Sequence, residues 1–151
     1  SKANNLKLSG IDYSAEMVRV AKTLNKDLIQ PGNLVLINGN SDAMPFSENQ
    51  FDKVFCINVI YFWDDPAAHL KEVYRVLKPG GKFYAVIRSK EQMQYMPFTK
   101  YGFNMHNETE WLDLLNKSGF KNLSVLPITE PAVKHKGKEY ILQSLCFEAI
   151  K

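Results

Sequence analysis

Apolar residues recur along this chain in two rhythms, and the alternation between them predicts its elements. Leu6-Lys7-Leu8-Ser9-Gly10-Ile11 alternates apolar and other positions, a strand pattern that ends at Asp12. Ser14 can cap a following helix, with Glu16 in the first turn where the helix dipole favours an anion. Met17, Ala21, Leu24 and Leu28 then fall at spacings of four, three and four, the spacing of one helix face, until Pro31-Gly32 stops the run. Residues 34–37 and 51–57 read as short apolar strands of the kind that parallel sheets cover on both faces. A polar loop, 38–50, separates them.

The second half continues the pattern. Asp65-Pro66 predicts an N-cap followed by proline in the first helical turn, and the helix runs through Leu70, Val73, Tyr74 and Leu77 to end before Pro79-Gly80-Gly81. Residues 82–88 form a fourth strand, and 89–106 have no regular period. Asn107 and Glu110 have capping-box spacing ahead of a helix on Trp111, Leu114 and Leu115, which Gly119 closes. Two last strands, near 123–128 and 140–150, flank a basic turn short enough to make them an antiparallel hairpin. Strand–helix alternation with a closing hairpin predicts one α/β domain over residues 1–151. Its sheet is mostly parallel, with helices on both faces.

Composition adds limits. The chain has 151 residues, 45% of them hydrophobic and 23% charged, which places it among globular domains with no run fit to span a bilayer. A net charge of +3, from 19 basic against 16 acidic residues, is too small and too dispersed to indicate nucleic acid. The local cluster Lys134, His135, Lys136 and Lys138 reads as a solvated turn. Cys56 and Cys146 sit in apolar runs and read as buried thiols in a reducing compartment, neither a disulfide framework nor a metal pair. With no secretory signal at the polar start, the expected location is cytoplasmic, with no membrane partner.

Ligands of open α/β sheets bind outside the carboxyl ends of the strands, so the residues just past each strand are the candidates. Asp12 can accept both hydroxyls of a ribose, and it serves equally well as a helix-capping aspartate. In the loop Gly39-Asn40-Ser41-Asp42-Ala43-Met44-Pro45-Phe46, an aspartate followed by a small residue offers an acceptor and a backbone N–H to an adenine edge. The same tetrapeptide is also a good ligand-free turn.

The ordered series carries more than its parts. Gly10-Ile11-Asp12-Tyr13-Ser14-Ala15-Glu16-Met17, then Asp42-Ala43-Met44-Pro45-Phe46, then Phe51-Asp52-Lys53-Val54-Phe55, then Leu77-Lys78-Pro79-Gly80-Gly81-Lys82 resembles the class I S-adenosylmethionine-dependent methyltransferases of small-molecule type. The segments Glu110-Trp111-Leu112 and Lys117-Ser118-Gly119-Phe120 resemble that family's last helix and its turn. The resemblance implies a Rossmann-like fold, S-adenosyl-L-methionine as cofactor and a small-molecule methyl acceptor. It implies that Asp12 binds the cofactor ribose, that Tyr13 and Met17 cover ribose and adenine, and that Asp42 and the Ala43 backbone read adenine. Asn58 lies near the methionine moiety on the same reading. Tyr61 and Trp63 have a competing role as core packing.

The family's first strand and glycine-rich turn should precede Leu6, and only Ser1-Lys2-Ala3-Asn4-Asn5 does. The expectation is therefore a domain lacking its usual first strand: a fragment of a longer protein, a sheet whose flanking strands pair directly, or a chain completed by a homodimer through the exposed sheet edge. No catalytic residue is assigned. His106, at the end of the irregular segment, and His69, inside a helix, are the visible candidates for a base. The aromatic and Met-rich stretch 92–105 suits a substrate cover, and ordinary packing explains it equally. The rival functions are a non-catalytic binding or dimerisation module and a nucleotide-dependent oxidoreductase. The latter shares Asp12 but not the later motifs.

Overall fold

The computed structural model describes residues 6–93, 99, 102–135, 138–140 and 143–151. The chain divides into two compact units, residues 1–45 and 46–151.

In the first unit, β1 (Leu8–Asp12) pairs in parallel with β2 (Leu34–Asn38), in a register that sets Asp12 beside Asn38 at the carboxyl end. The strands approach closely where Gly10 faces Leu36, since a Cβ on Gly10 would stand 2.8 Å from Leu36 Cδ2. Helix α1 (Ala15–Leu24) starts at Ser14, whose hydroxyl accepts from the Met17 N–H, as expected. The expected continuous helix to Leu28 is broken at Asn25. That residue leaves helical geometry, and its Nδ2 donates to the Ala21 carbonyl at 2.8 Å before α2 (Lys26–Ile29) begins. The apolar stripe is not buried as its spacing suggested: Met17 is 55% and Leu24 78% exposed, and within α1 only Val18 is buried. A helix needs a broad sheet to cover a full stripe, and this unit has a ribbon of two strands.

The second unit is built on a four-stranded sheet in the order β3-β4-β8-β5. Strand β3 (Phe51–Ile57) runs parallel to β4 (Leu77–Arg88), and β8 (Gln143–Ile150) is antiparallel to both β4 and β5 (Lys121–Thr129). This is the antiparallel end that the sequence predicts. Between β3 and β4 lie a single 3-10 turn, Ile60–Phe62, and α3 (Pro66–Val76), capped by Asp65, whose Oδ1 accepts from the Ala67 and Ala68 N–H groups. Strand β4 begins at Leu77, earlier than the pattern indicated, because Leu77 already has extended geometry at the helix end. After β4 come a short α4 (Lys90–Met93) and α5 (Glu108–Lys117), opened by the expected Asn107–Glu110 capping box. Gly119, at φ 96°, makes the left-handed turn that closes α5. The basic turn holds a small antiparallel pair, β6 (Val133–His135) and β7 (Lys138–Tyr140); Lys136 lies outside the described residues.

Alternation along the strands decides where the core sits. Phe83, Ala85, Ile87, Phe147 and Ala149 point to one face and are at most 1% exposed. Helices α3 and α5 lie on that face: Trp111 packs edge-on to Phe147, and Phe120 meets both Phe83 and Tyr74. The opposite face carries Phe55 and Ile57, 68% and 56% exposed, so the expectation of a strand buried on both faces fails for β3. Val35 of β2 departs in the same way, at 51%. Among the described residues of each unit, β1 and β3 each have a paired strand on one side only. Cys56 and Cys146 are free thiols and part-buried, and burial pushes the Cys56 thiol up to about 12.

Candidate functional site

The carboxyl end of β1 and β2 gathers the first group of expected residues. Asp12 Oδ1 accepts from the Ser14 N–H at 2.8 Å, so the aspartate does cap the turn into α1, while its Oδ2 takes no hydrogen bond among the described residues. Asn38 Nδ2 donates to the carbonyls of Asp12 (3.0 Å) and Tyr13 (2.9 Å), which pins the strand end. Tyr13 is 79% exposed and Met17, one turn into α1, is 55% exposed. In the following loop Asp42 and Ala43 are exposed and Met44 is buried. The Ala43 N–H, expected to read adenine, donates at 3.3 Å to the Asn40 carbonyl. An exposed carboxylate with one unused oxygen, flanked by an exposed aromatic ring and thioether, fits a ribose with an adjoining base. These residues would hold S-adenosylmethionine by its adenosine half, and the group supplies a methyl already activated on a positive sulfur.

In the second unit Asn58 follows β3 in the left-handed region, φ 54°, and its N–H donates to the Val86 carbonyl at 2.9 Å. Tyr61, 3% exposed, ties this turn to the end of β4. Its hydroxyl accepts from the Arg88 N–H at 2.5 Å and can donate to Asn58 Oδ1 (3.3 Å) or to the Arg88 carbonyl (3.1 Å). Burial raises the Tyr61 phenol above its ordinary value, so the hydroxyl keeps its proton. The Arg88 guanidinium holds Glu130 by two bonds, 3.0 and 2.6 Å, and the Ser144 hydroxyl donates to the same carboxylate at 2.6 Å. Nothing in the sequence signals this network, because Glu130 stands 42 residues from Arg88.

A cleft of about 400 Å³ opens in the same unit, walled by Trp63, Phe103 and Met105 and reached by Asp64, Lys90 and His106. Asn104 straps one wall to the other: its N–H donates to the Tyr61 carbonyl at 2.8 Å and its Nδ2 to the Trp63 carbonyl at 2.9 Å. Trp63 is 3% exposed, as its packing role required, and lies flat on His69, with ring centroids 4.6 Å apart. His69 is therefore a packing residue, buried at 6%. His106 is part-buried beside Trp111, and burial pushes its imidazole below the ordinary range, with Glu110 opposing and Lys90 assisting. Much of the expected cover segment, including Tyr95, Met96, Phe98 and Tyr101, lies outside the described residues. Among the described residues no cluster of side chains could hold a metal, and no helix is long and apolar enough to cross a membrane.

A family described as a methyltransferase domain matches residues 2–85. The chain is 33% identical over 124 residues to a ubiquinone/menaquinone biosynthesis C-methyltransferase of Rickettsia prowazekii, covering 81% of this chain and 50% of that protein. It is 29% identical over 147 residues to a demethylmenaquinone methyltransferase of Staphylococcus saprophyticus, covering 80% and 62%. The chain thus spans about half to three-fifths of the length of these curated relatives. A SAM-dependent methyltransferase structure from Thermotoga maritima superposes with TM-score 0.73 at 23% identity, over 95% of this chain and 72% of that one. A methyltransferase structure from Bacillus halodurans does so with TM-score 0.73 at 20%, over 95% and 82%. The fold is α/β and Rossmann-like, and the chain belongs to the class I methyltransferase family whose cofactor is S-adenosylmethionine.

Proposed function

We propose that the whole protein transfers a methyl group from S-adenosylmethionine to a small-molecule acceptor by direct displacement. The acceptor atom attacks the sulfonium methyl and releases the thioether, so positioning supplies much of the rate. In this reading Asp12 holds the ribose, Tyr13 and Met17 cover ribose and adenine, and Asp42 reads the adenine edge, joined by the Ala43 N–H once it releases its 3.3 Å bond to the Asn40 carbonyl. Asn58 is assigned to the methionine end. The two free thiols suit a cytoplasmic setting.

The observation that carries the reading is the Asp12 carboxylate, exposed at the carboxyl end of β1 with one oxygen unused. The test is calorimetric titration with S-adenosylhomocysteine, with NADH as control. Saturable binding weakened about 10- to 100-fold in Asp12→Ala is expected for lost hydrogen bonds to a charged group. Tighter binding of NADH would instead favour the nucleotide-dependent oxidoreductase.

The same proposal takes residues 1–151 as one incomplete domain whose first strand and glycine-rich turn come from outside it. The unpaired edge of β3 and the exposed Phe55 and Ile57 support this, since such a strand is rarely left uncovered. That edge also favours a second reading, a non-catalytic module that forms a homodimer through β3. A concentration-dependent mass in sedimentation, without binding of S-adenosylhomocysteine, would select it.

A further inference from the structure

Asn38 and Asn40 stand on either side of Gly39, and the fold holds their side-chain amides in opposite ways. Asparagine is a thermolabile residue because the backbone nitrogen that follows it, once deprotonated, can attack the side-chain carbonyl carbon. On sequence alone Asn38 is the more vulnerable, since Gly39 has no side chain to hinder the attack. The structure reverses that order.

Asn38 is locked at both reacting groups. Its Nδ2 donates to the carbonyls of Asp12 at 3.0 Å and Tyr13 at 2.9 Å, which turns the amide across to β1. The Gly39 N–H, which carries the nucleophilic nitrogen, donates to the Asp12 carbonyl at 3.0 Å. Asn38 is also the last rung of the β1–β2 ladder, opposite Asp12. Closing a ring at Asn38 would break all of these bonds.

Asn40 has none of these restraints. It lies past the end of β2, exposed and outside any helix or strand. The Ser41 N–H donates to Asn40 Oδ1 at 2.9 Å, so the nucleophile and the carbonyl group it attacks already face each other. Loss of that proton leaves the nitrogen lone pair aimed at the same group. The leaving nitrogen, Asn40 Nδ2, makes no hydrogen bond among the described residues.

We propose that Asn40 is a self-modification site. The Ser41 nitrogen bonds to Asn40 Cγ, the Cγ–Nδ2 bond breaks and ammonia leaves. Water then opens the cyclic imide to aspartate or isoaspartate and restores a proton to the backbone nitrogen, so the step is a hydrolysis with no oxidant or reductant. The product adds a negative charge to the loop that carries Asp42. Any change in cofactor binding that follows rests on the methyltransferase reading; the modification itself does not.

The test is ageing of the full chain at pH 8, folded and in 6 M urea, followed by peptide mass mapping that separates aspartyl from isoaspartyl products. In the folded chain Asn40 should convert at least about ten-fold faster than Asn38, the effect of the hydrogen bonds that Asn38 must surrender, and give isoaspartate along with aspartate. In urea the order should reverse and Asn38 should lead. Asn40→Gln, whose longer side chain closes a ring poorly, should stay unmodified at that position in a chain that unfolds at the parent midpoint. Three results each overturn the proposal: faster conversion of Asn38 in the folded chain, aspartate without isoaspartate at Asn40, or an unchanged Asn40 over the time in which the unfolded chain converts Asn38.

Discussion

The Tyr61 hydroxyl accepts from the Arg88 N–H at 2.5 Å, across 27 residues of sequence, and so fixes the end of β4 against the turn that follows β3. Tyr61→Phe keeps the ring against Phe103 but leaves that N–H without its acceptor. The expected loss is about 1–3 kcal/mol of stability, the cost of an unpaired buried donor, read from urea unfolding midpoints. A loss below about 0.5 kcal/mol would mean that water replaces the hydroxyl and that the turn is not held by it.

The neighbouring Arg88–Glu130 pair makes stability depend on acid. The Arg88 guanidinium first, and the Ser144 hydroxyl second, hold the Glu130 carboxyl below the ordinary carboxylate range. A carboxyl whose folded value lies below its unfolded one stabilises fully above the unfolded value of about 4.3, and that contribution disappears as pH falls through the folded value. Between pH 7 and pH 3, Glu130→Gln should therefore lose less stability than the parent chain. Parallel curves for the two proteins would show the ion pair to be neutral in effect.

Cysteine chemistry distinguishes the two thiols. Burial pushes Cys56 to about 12 and raises Cys146 as well, with Glu148 adding to the effect of burial there. At pH 8 iodoacetamide should label Cys146 well before Cys56, since the thiolate is the reacting form. Peptide mapping of a time course reads the order, and 6 M urea should abolish the difference.

Helix α5 offers a test of its start. Asn107 Oδ1 accepts from the Glu110 N–H at 2.8 Å, and Glu110 Oε2 accepts from the Asn107 N–H at 2.9 Å. Asn107→Ala should cost about 1 kcal/mol, and Asn107→Ser much less, in thermal unfolding. Equal losses in both variants would assign the effect to the loop before α5 and not to its cap.

The sequence was most informative where a local rule acts alone. Ser14, Asp65 and the Asn107–Glu110 pair cap the helices they announced, and Gly119 ends α5 in the left-handed turn that its position implied. It was least informative where burial depends on what lies across from a residue. Met17, Leu24 and Leu28 have helical spacing, yet a two-stranded ribbon cannot cover them. Phe55 and Ile57 are apolar like their neighbours, and only the position of α3 and α5 on one sheet face explains why Phe83 and Phe147 are enclosed and they are not. Motif order nominated Asp12, Tyr13, Met17, Asp42, Ala43 and Asn58, and the structure sets the first three at and just past the end of β1, the next two in the exposed loop after β2 and Asn58 just past β3, while their role at a cofactor belongs to the proposal. The Tyr61 clamp depends on contacts between residues far apart in sequence, which spacing does not encode.

Among the described residues β3 is paired on one side only, which has a consequence for handling this chain. Phe51–Ile57 presents a row of backbone donors and acceptors with Phe55 and Ile57 standing out from it, and Lys53 is the one charged side chain that shares their alternation. Such an edge is a template for intermolecular cross-β growth, and a lone lysine is a weak gatekeeper against it. Turbidity on concentration, suppressed by Phe55→Lys at little cost in unfolding midpoint, is the behaviour this strand dictates.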